Sequence, residues 1–185
     1  MPYLRSLRAG ASLIDVFNAF PETSKPLIEF HEVLLRGPSP FTATERELVA
    51  AFVSGLKRCD YCHGVHTATA ERMGVEAGLL PRIVKDGDLN GVAIKLRPVL
   101  ALARKLTLSP DSATKADADA VLAARWDDAA LYYAVAVIAL FNFMNRLVEG
   151  LGIELEPSYV GPASQRLAES GYLPLLEMMK SGRRT

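Results

Sequence analysis

Apolar side chains recur at helical spacing along most of the chain, and no segment shows the alternation of a half-buried strand. In the segment 11–20, for example, Leu13, Val16 and Phe17 fall on one stripe. Glycine, proline and capping residues divide the rest of the chain into pieces of helical length. This pattern predicts an all-α protein.

The breakers and caps also place the individual helices. Two capping boxes, Thr42 with Glu45 and Thr44 with Glu47, fit the start of the third helix equally well. We expect helices over 11–20, 24–36, 42–56, 59–73, 76–84, 92–106, 113–124 and from 127 or 128 to 150 or 152, one or two more in 157–180, and a frayed end over 181–185. Because no linker interrupts this series, residues 1–185 are expected to form one domain around a helical hairpin at about 42–74.

Charge and hydropathy exclude several classes of protein. The 21 basic and 21 acidic side chains balance and no basic run is present, so neither a nucleic acid nor an anionic membrane is an expected partner. Residues 1–10 lack the apolar run of a signal peptide. The apolar run 129–141 is shorter than the roughly 20 residues that span a bilayer. It predicts burial on most sides, in the core or at a subunit interface. We therefore expect a cytoplasmic protein.

The segment 59–66, Cys-Asp-Tyr-Cys-His-Gly-Val-His, contains both cysteines and two of the three histidines. Two cysteines are too few for a disulfide scaffold, and a close pair in the cytoplasm is typically catalytic or metal-binding. At a helix start, free N–H groups and the helix dipole favour the thiolate. One of Cys59 and Cys62 can then attack a peroxide oxygen, and the other can resolve the resulting sulfenic acid.

Helix geometry adds a proton relay to this pair. His66 lies four residues after Cys62, on the same helix face. If the helices meet in a hairpin turn at 57–59, Glu47 lies about 16 Å along one arm and His66 about 12 Å along the other, within one turn of each other. The spacing therefore predicts that Glu47 orients His66, which exchanges a proton with Cys62.

The sequence Thr-Glu-Arg-Glu-Leu at 44–48, followed by Cys59, Cys62 and His66, resembles the alkylhydroperoxidase AhpD-like group of the carboxymuconolactone decarboxylase superfamily. It looks closest to the uncharacterised peroxidase-related branch of that group. The resemblance implies an AhpD-like helical bundle with Cys-X-X-Cys at the start of a core helix, and assembly into homo-oligomers, commonly trimers or hexamers. Better-known members carry a histidine before the second cysteine, where this chain has Tyr61.

The resemblance also implies a function and a role for each residue. The protein would reduce a small hydroperoxide, with Cys62 as the peroxidatic cysteine, Cys59 as the resolving cysteine and Glu47–His66 as the proton relay. A helix-dipole argument alone favours Cys59 as the attacking thiol. An external thiol or dithiol would restore the reduced pair, and the chemistry requires no metal or organic cofactor.

Other interpretations of the same residues remain open from the sequence. Cys59, Cys62 and His66, with His63 or Glu47, match the ligand types of a zinc site in an interaction protein. The cysteine pair can also belong to a redox sensor that reports its disulfide state to a partner. Alternatively, the same scaffold can carry a non-redox lyase, although decarboxylase relatives lack the two cysteines. Glu47 can be a solvent-facing capping residue. We expect His31 to be structural, Tyr61 to form a pocket wall, and Trp126 to anchor the core or an interface.

Overall fold

A computed structural model describes residues 2–181, and side chains are described up to residue 179. These residues form ten α-helices and no strand. In chain order the helices are α1 (Leu13–Ala19), α2 (Pro21–Arg36), α3 (Ala43–Leu56), α4 (Asp60–Arg72), α5 (Leu79–Lys85), α6 (Arg97–Leu108), α7 (Lys115–Ala123), α8 (Asp128–Gly150), α9 (Pro157–Ser170) and α10 (Pro174–Ser181). Short 3₁₀ turns lie at Ile94–Leu96 and Pro110–Ser112. The all-α prediction is confirmed; of the expected frayed end, Ser181 closes α10 and 182–185 lie outside the described residues.

Helix α3 is the centre of the fold, and every residue from 46 to 54 is buried. Its run 48–53 is apolar throughout, so the helix packs against neighbours all around, chiefly α4 and α8 and also α5 and α6. Its start is the capping box of Thr42 and Glu45. Thr44 instead donates its hydroxyl hydrogen bond to the Met73 carbonyl, at 3.2 Å, which ties the start of α3 to the end of α4.

The turn between α3 and α4 lies where the spacing argument placed it. Arg58 adopts the left-handed conformation, with φ 56°, and the Cys59 N–H donates to the Ser54 carbonyl at 3.1 Å. Cys59 is the N-cap of α4. A Cβ atom on Gly55 would lie 2.9 Å from the His63 ring, so the absent side chain lets the two arms approach closely. The predicted hairpin is therefore present.

Helix α2 begins earlier than the predicted start near Ser24. Pro21 is its first residue and follows α1 after the single residue Phe20. A proline that cannot continue one helix suits the first position of the next, because its fixed φ is helical and its missing N–H has no intrahelical role there. Pro26 consequently lies inside α2 rather than in its first turn.

Helix α8 is buried along one side only. The Asp127 carboxylate accepts a hydrogen bond from the Ala130 N–H at 2.8 Å and caps the helix. Tyr132 and Phe143 remain 67% and 51% exposed, so burial on most sides, as the apolar run predicted, is not found in the single chain. Length and composition would allow α8 to cross a membrane, but the buried core helix of a soluble protein meets the same criteria.

Candidate active site

The two cysteines lie side by side at the start of α4. Cys59 is fully buried, Cys62 is 3% exposed, and both are free thiols. A hydrogen bond with Cys59, followed by burial, raises the pKa of Cys62 well above its usual value. The helix dipole favours a thiolate at the start of α4, but at Cys62 the neighbouring thiol and burial outweigh it.

Glu47 is fully buried and accepts three hydrogen bonds. Its Oε1 atom accepts from an Arg36 guanidinium N–H at 2.7 Å and from the Tyr172 hydroxyl at 2.8 Å. Its Oε2 atom lies 2.7 Å from His66 Nδ1. Glu47 is thus no solvent-facing capping residue, and the predicted pairing of Glu47 with His66 is present.

The charge of Glu47 determines the tautomer of His66. Burial is the largest influence and raises the pKa of Glu47, but His66 and Arg36 together outweigh it and lower the pKa to about 2. Because an ionised carboxylate can only accept, Nδ1 of His66 carries the hydrogen and its Nε2 is left as the acceptor in the neutral ring. Phe141 contacts the His66 ring edge-on, with 4.6 Å between ring centroids, and limits its rotation.

Residues far apart in sequence bring these partners to Glu47. Arg36 is the last residue of α2 and also donates to the Leu167 carbonyl of α9 at 2.9 Å. Tyr172 lies in the link between α9 and α10. Both were missed by sequence reasoning, because neither belongs to a local motif and Tyr172 is 125 residues from Glu47.

A cavity of about 60 Å³ adjoins α4, and Cys62 and His66 both line it. Cys59 and Glu47 do not line this cavity, so Cys62 is the cysteine that a bound molecule meets. Most of the remaining wall is apolar. Tyr61 is part of that wall, as predicted, and packs against Tyr159 with 5.9 Å between ring centroids.

His31 also lines the cavity, although its sequence context indicated a structural residue. Its Nδ1 lies 2.7 Å from the Leu27 carbonyl, which can only accept, so Nδ1 carries the hydrogen. The ring packs against Tyr172 with 5.3 Å between centroids. Burial lowers the pKa of His31 to about 4, and the ring is therefore neutral at physiological pH.

The geometry does not support the zinc alternative. His63 faces α3, where its Nδ1 lies 2.9 Å from the Ala51 carbonyl. Glu47 already has three hydrogen-bond partners. Within residues 2–181, no group of three or more histidine, cysteine or acidic side chains is arranged to hold a metal ion.

Comparison with known proteins identifies the scaffold. Residues 21–79, from the start of α2 to the start of α5, match the carboxymuconolactone decarboxylase family. An uncharacterized peroxidase-related protein from Silicibacter sp. TM1040 has a similar structure, with a TM-score of 0.75 at 21% identity over 80% of this chain and 78% of that one. A second similar structure is the alkylhydroperoxidase AhpD core of an uncharacterized peroxidase-related protein from Ralstonia eutropha JMP134. Its TM-score is 0.72 at 19% identity, and the match covers 78% of this chain and 76% of that one. No curated protein matches the chain.

Replacement of Tyr172 by phenylalanine tests the network around Glu47. The substitution removes one hydrogen bond to a buried ionised carboxylate, so we expect the free energy of unfolding to fall by roughly 1.5–3 kcal/mol. Urea denaturation measures this change. Tyr132→Phe, at an exposed position, is the matched control and should change it by less than about 0.5 kcal/mol. Equal effects of the two substitutions would contradict the network.

His31 predicts a pH dependence of stability. Because its pKa is 6.5 in the unfolded chain and about 4 in the fold, the unfolded state binds the proton more tightly. The free energy of unfolding therefore keeps its full value above pH 6.5 and falls by about 3 kcal/mol as the pH is lowered to 4. In His31→Gln, whose amide can still donate to Leu27, denaturation at a series of pH values should show a smaller loss over this range. If the free energy of unfolding of this variant depended on pH as it does in the wild type, His31 would not be the source of the pH dependence.

Proposed function

We propose that the chain is an AhpD-like member of the carboxymuconolactone decarboxylase superfamily and that it reduces organic hydroperoxides through the Cys59–Cys62 pair. One observation carries the proposal: Cys62 lines the same cavity as His66, and the buried carboxylate of Glu47 holds that imidazole. The cavity supplies a place for the peroxide, and the imidazole supplies a base beside the thiol.

In the first step, Cys62 is the nucleophile. Since the pKa of its thiol is raised, the thiolate forms only when a base removes the proton, and Nε2 of His66 is the acceptor in reach of the cavity. Glu47 stabilises the imidazolium that results. The thiolate attacks the distal peroxide oxygen, the O–O bond breaks, and the imidazolium returns its proton to the departing alkoxide. The products are an alcohol and a sulfenic acid on Cys62.

In the second step, Cys59 resolves the sulfenic acid. Its thiol already contacts Cys62 through a hydrogen bond, and its burial outside the cavity keeps it from the peroxide. Attack of the Cys59 sulfur on the Cys62 sulfur forms the disulfide and releases water. An external thiol or dithiol then reduces the disulfide by exchange, so no metal or organic cofactor is part of the proposed cycle.

Homo-oligomer formation and a cytoplasmic location belong to the same proposal. The exposed stripe of Tyr132, Val135 and Phe143 on α8 supports an interface between copies of the chain. A cytoplasmic location agrees with a dithiol that must be reduced after every turnover. The assembly implied by the resemblance is a trimer or a hexamer.

Intact mass measurement tests the assignment of the two cysteines. Treatment of the reduced protein with one equivalent of tert-butyl hydroperoxide should lower the mass by about 2 Da, as the disulfide closes. Cys59→Ser should gain about 16 Da, because Cys62 is oxidised to the sulfenic acid and finds no thiol to resolve it. Cys62→Ser should remain unchanged, since Cys59 does not line the cavity.

Two results would overturn the proposal in different ways. A wild-type protein that stays reduced for minutes at this peroxide concentration would exclude hydroperoxide reduction. A gain of about 16 Da in Cys62→Ser, with none in Cys59→Ser, would exchange the roles of the two cysteines in favour of the thiol at the helix start. The variant Ser6→Ala, at an exposed position, serves as a control and should show the loss seen in the wild type.

A further inference from the structure

The cavity that Cys62 lines contains one cationic side chain that the proposed peroxidase mechanism does not use. Arg166, on α9, lines the cavity together with apolar side chains such as Phe17 and Ile28. Apolar walls with a single charged group are typical of sites that bind an amphipathic small molecule in one orientation.

Arg166 has no acidic partner in the part of the chain that the structure describes. One guanidinium N–H donates to the Tyr159 hydroxyl at 3.2 Å, and the guanidinium lies 5.9 Å from the centre of the Tyr159 ring. Its Nε atom is buried and has no hydrogen-bond partner. A buried donor on a charged group without a partner costs free energy, so a bound acceptor at this position would be stabilised.

The other charges at the cavity do not compensate that of Arg166. No aspartate or glutamate lines the cavity, and the nearby carboxylate of Glu47 is already paired with Arg36 and His66. The cavity therefore carries an excess of positive charge at Arg166. A planar guanidinium with a free N–H group matches a carboxylate, which accepts two parallel hydrogen bonds.

We propose that the cavity binds small organic acids, and that its substrates are hydroperoxides with an apolar body and a carboxylate at the end remote from the peroxide. The substrate class rests on the proposed hydroperoxide reduction, whereas the binding of an organic acid does not depend on it. Arg166 holds the carboxylate, which takes no part in bond making, while the peroxide end reaches Cys62. There the S–O bond forms, the O–O bond breaks, and the alkoxide takes the proton from His66.

Binding of unreactive probes tests the carboxylate site separately from the redox chemistry. Calorimetric titration of the reduced wild type and of Cys62→Ser should show butanoate binding about ten-fold tighter than butan-1-ol. Arg166→Met should remove this preference, and Arg166→Lys, which keeps the charge without the planar fork, should retain part of it. Arg146→Met, which removes an exposed guanidinium of α8 outside the cavity, is the matched control and should leave it unchanged.

The substrate class is then tested with two peroxides. The rate of Cys62 oxidation by 4-hydroperoxybutanoate should exceed that by butyl hydroperoxide, and Arg166→Met should equalise the two rates. Equal binding of butanoate and butan-1-ol by the folded wild type would overturn the acid site. If butanoate binds through Arg166 but neither peroxide oxidises Cys62, the proposed reduction fails while the acid site stands.

Discussion

Glu47 places an ionised carboxylate at a position with no solvent exposure, and the arrangement around it follows from this constraint. A buried charge is tolerated only when it is paired and hydrogen-bonded. The partners of Glu47 come from the end of α2, from α4 and from the link between α9 and α10. One carboxylate thus joins the N-terminal helices, the central hairpin and the C-terminal helices of the chain.

The same carboxylate prepares the site for chemistry. Because Oε2 accepts from Nδ1 of His66, Nε2 is the ring atom to which the proposed mechanism assigns the proton of Cys62. The guanidinium of Arg36 and the hydroxyl of Tyr172 hold Oε1, so the carboxylate keeps its position when His66 changes protonation. Because the neighbouring thiol and burial raise the pKa of Cys62, the proposed reaction requires a base, which would restrict oxidation to a molecule inside the cavity.

Local sequence patterns predicted much of this structure. The breakers around Gly37 and Gly74 end helices where expected, and the spacing from Glu47 to His66 across a short turn predicted their contact. The position of α2 was less accurate, because Pro21 can end one helix or begin another. The choice between Thr42 and Thr44 as the cap required the structure, since both sequences satisfy the same motif.

The residues that sequence reasoning missed share one cause. Arg36, Tyr172 and Arg166 lie on other elements than the cysteine motif, and only the packing of α2, α9 and the α9–α10 link brings them to the site. The raised pKa of Cys62 was missed for a related reason. A helix-start argument considers the local dipole, whereas burial and the contact with Cys59 depend on the folded surroundings.

In the proposed mechanism His66, held by Glu47, removes the proton from Cys62. The most direct test is the rate of Cys62 oxidation by tert-butyl hydroperoxide, measured from pH 6 to pH 11 in the wild type and in His66→Gln, whose amide can still donate to Glu47. We expect the variant to react about a hundred-fold more slowly near pH 7, with a rate that approaches the wild-type rate once the pH is high enough to ionise the thiol without a base. A variant that matches the wild type at pH 7, or one that stays slow at every pH while folded, would contradict the role of His66 as the base.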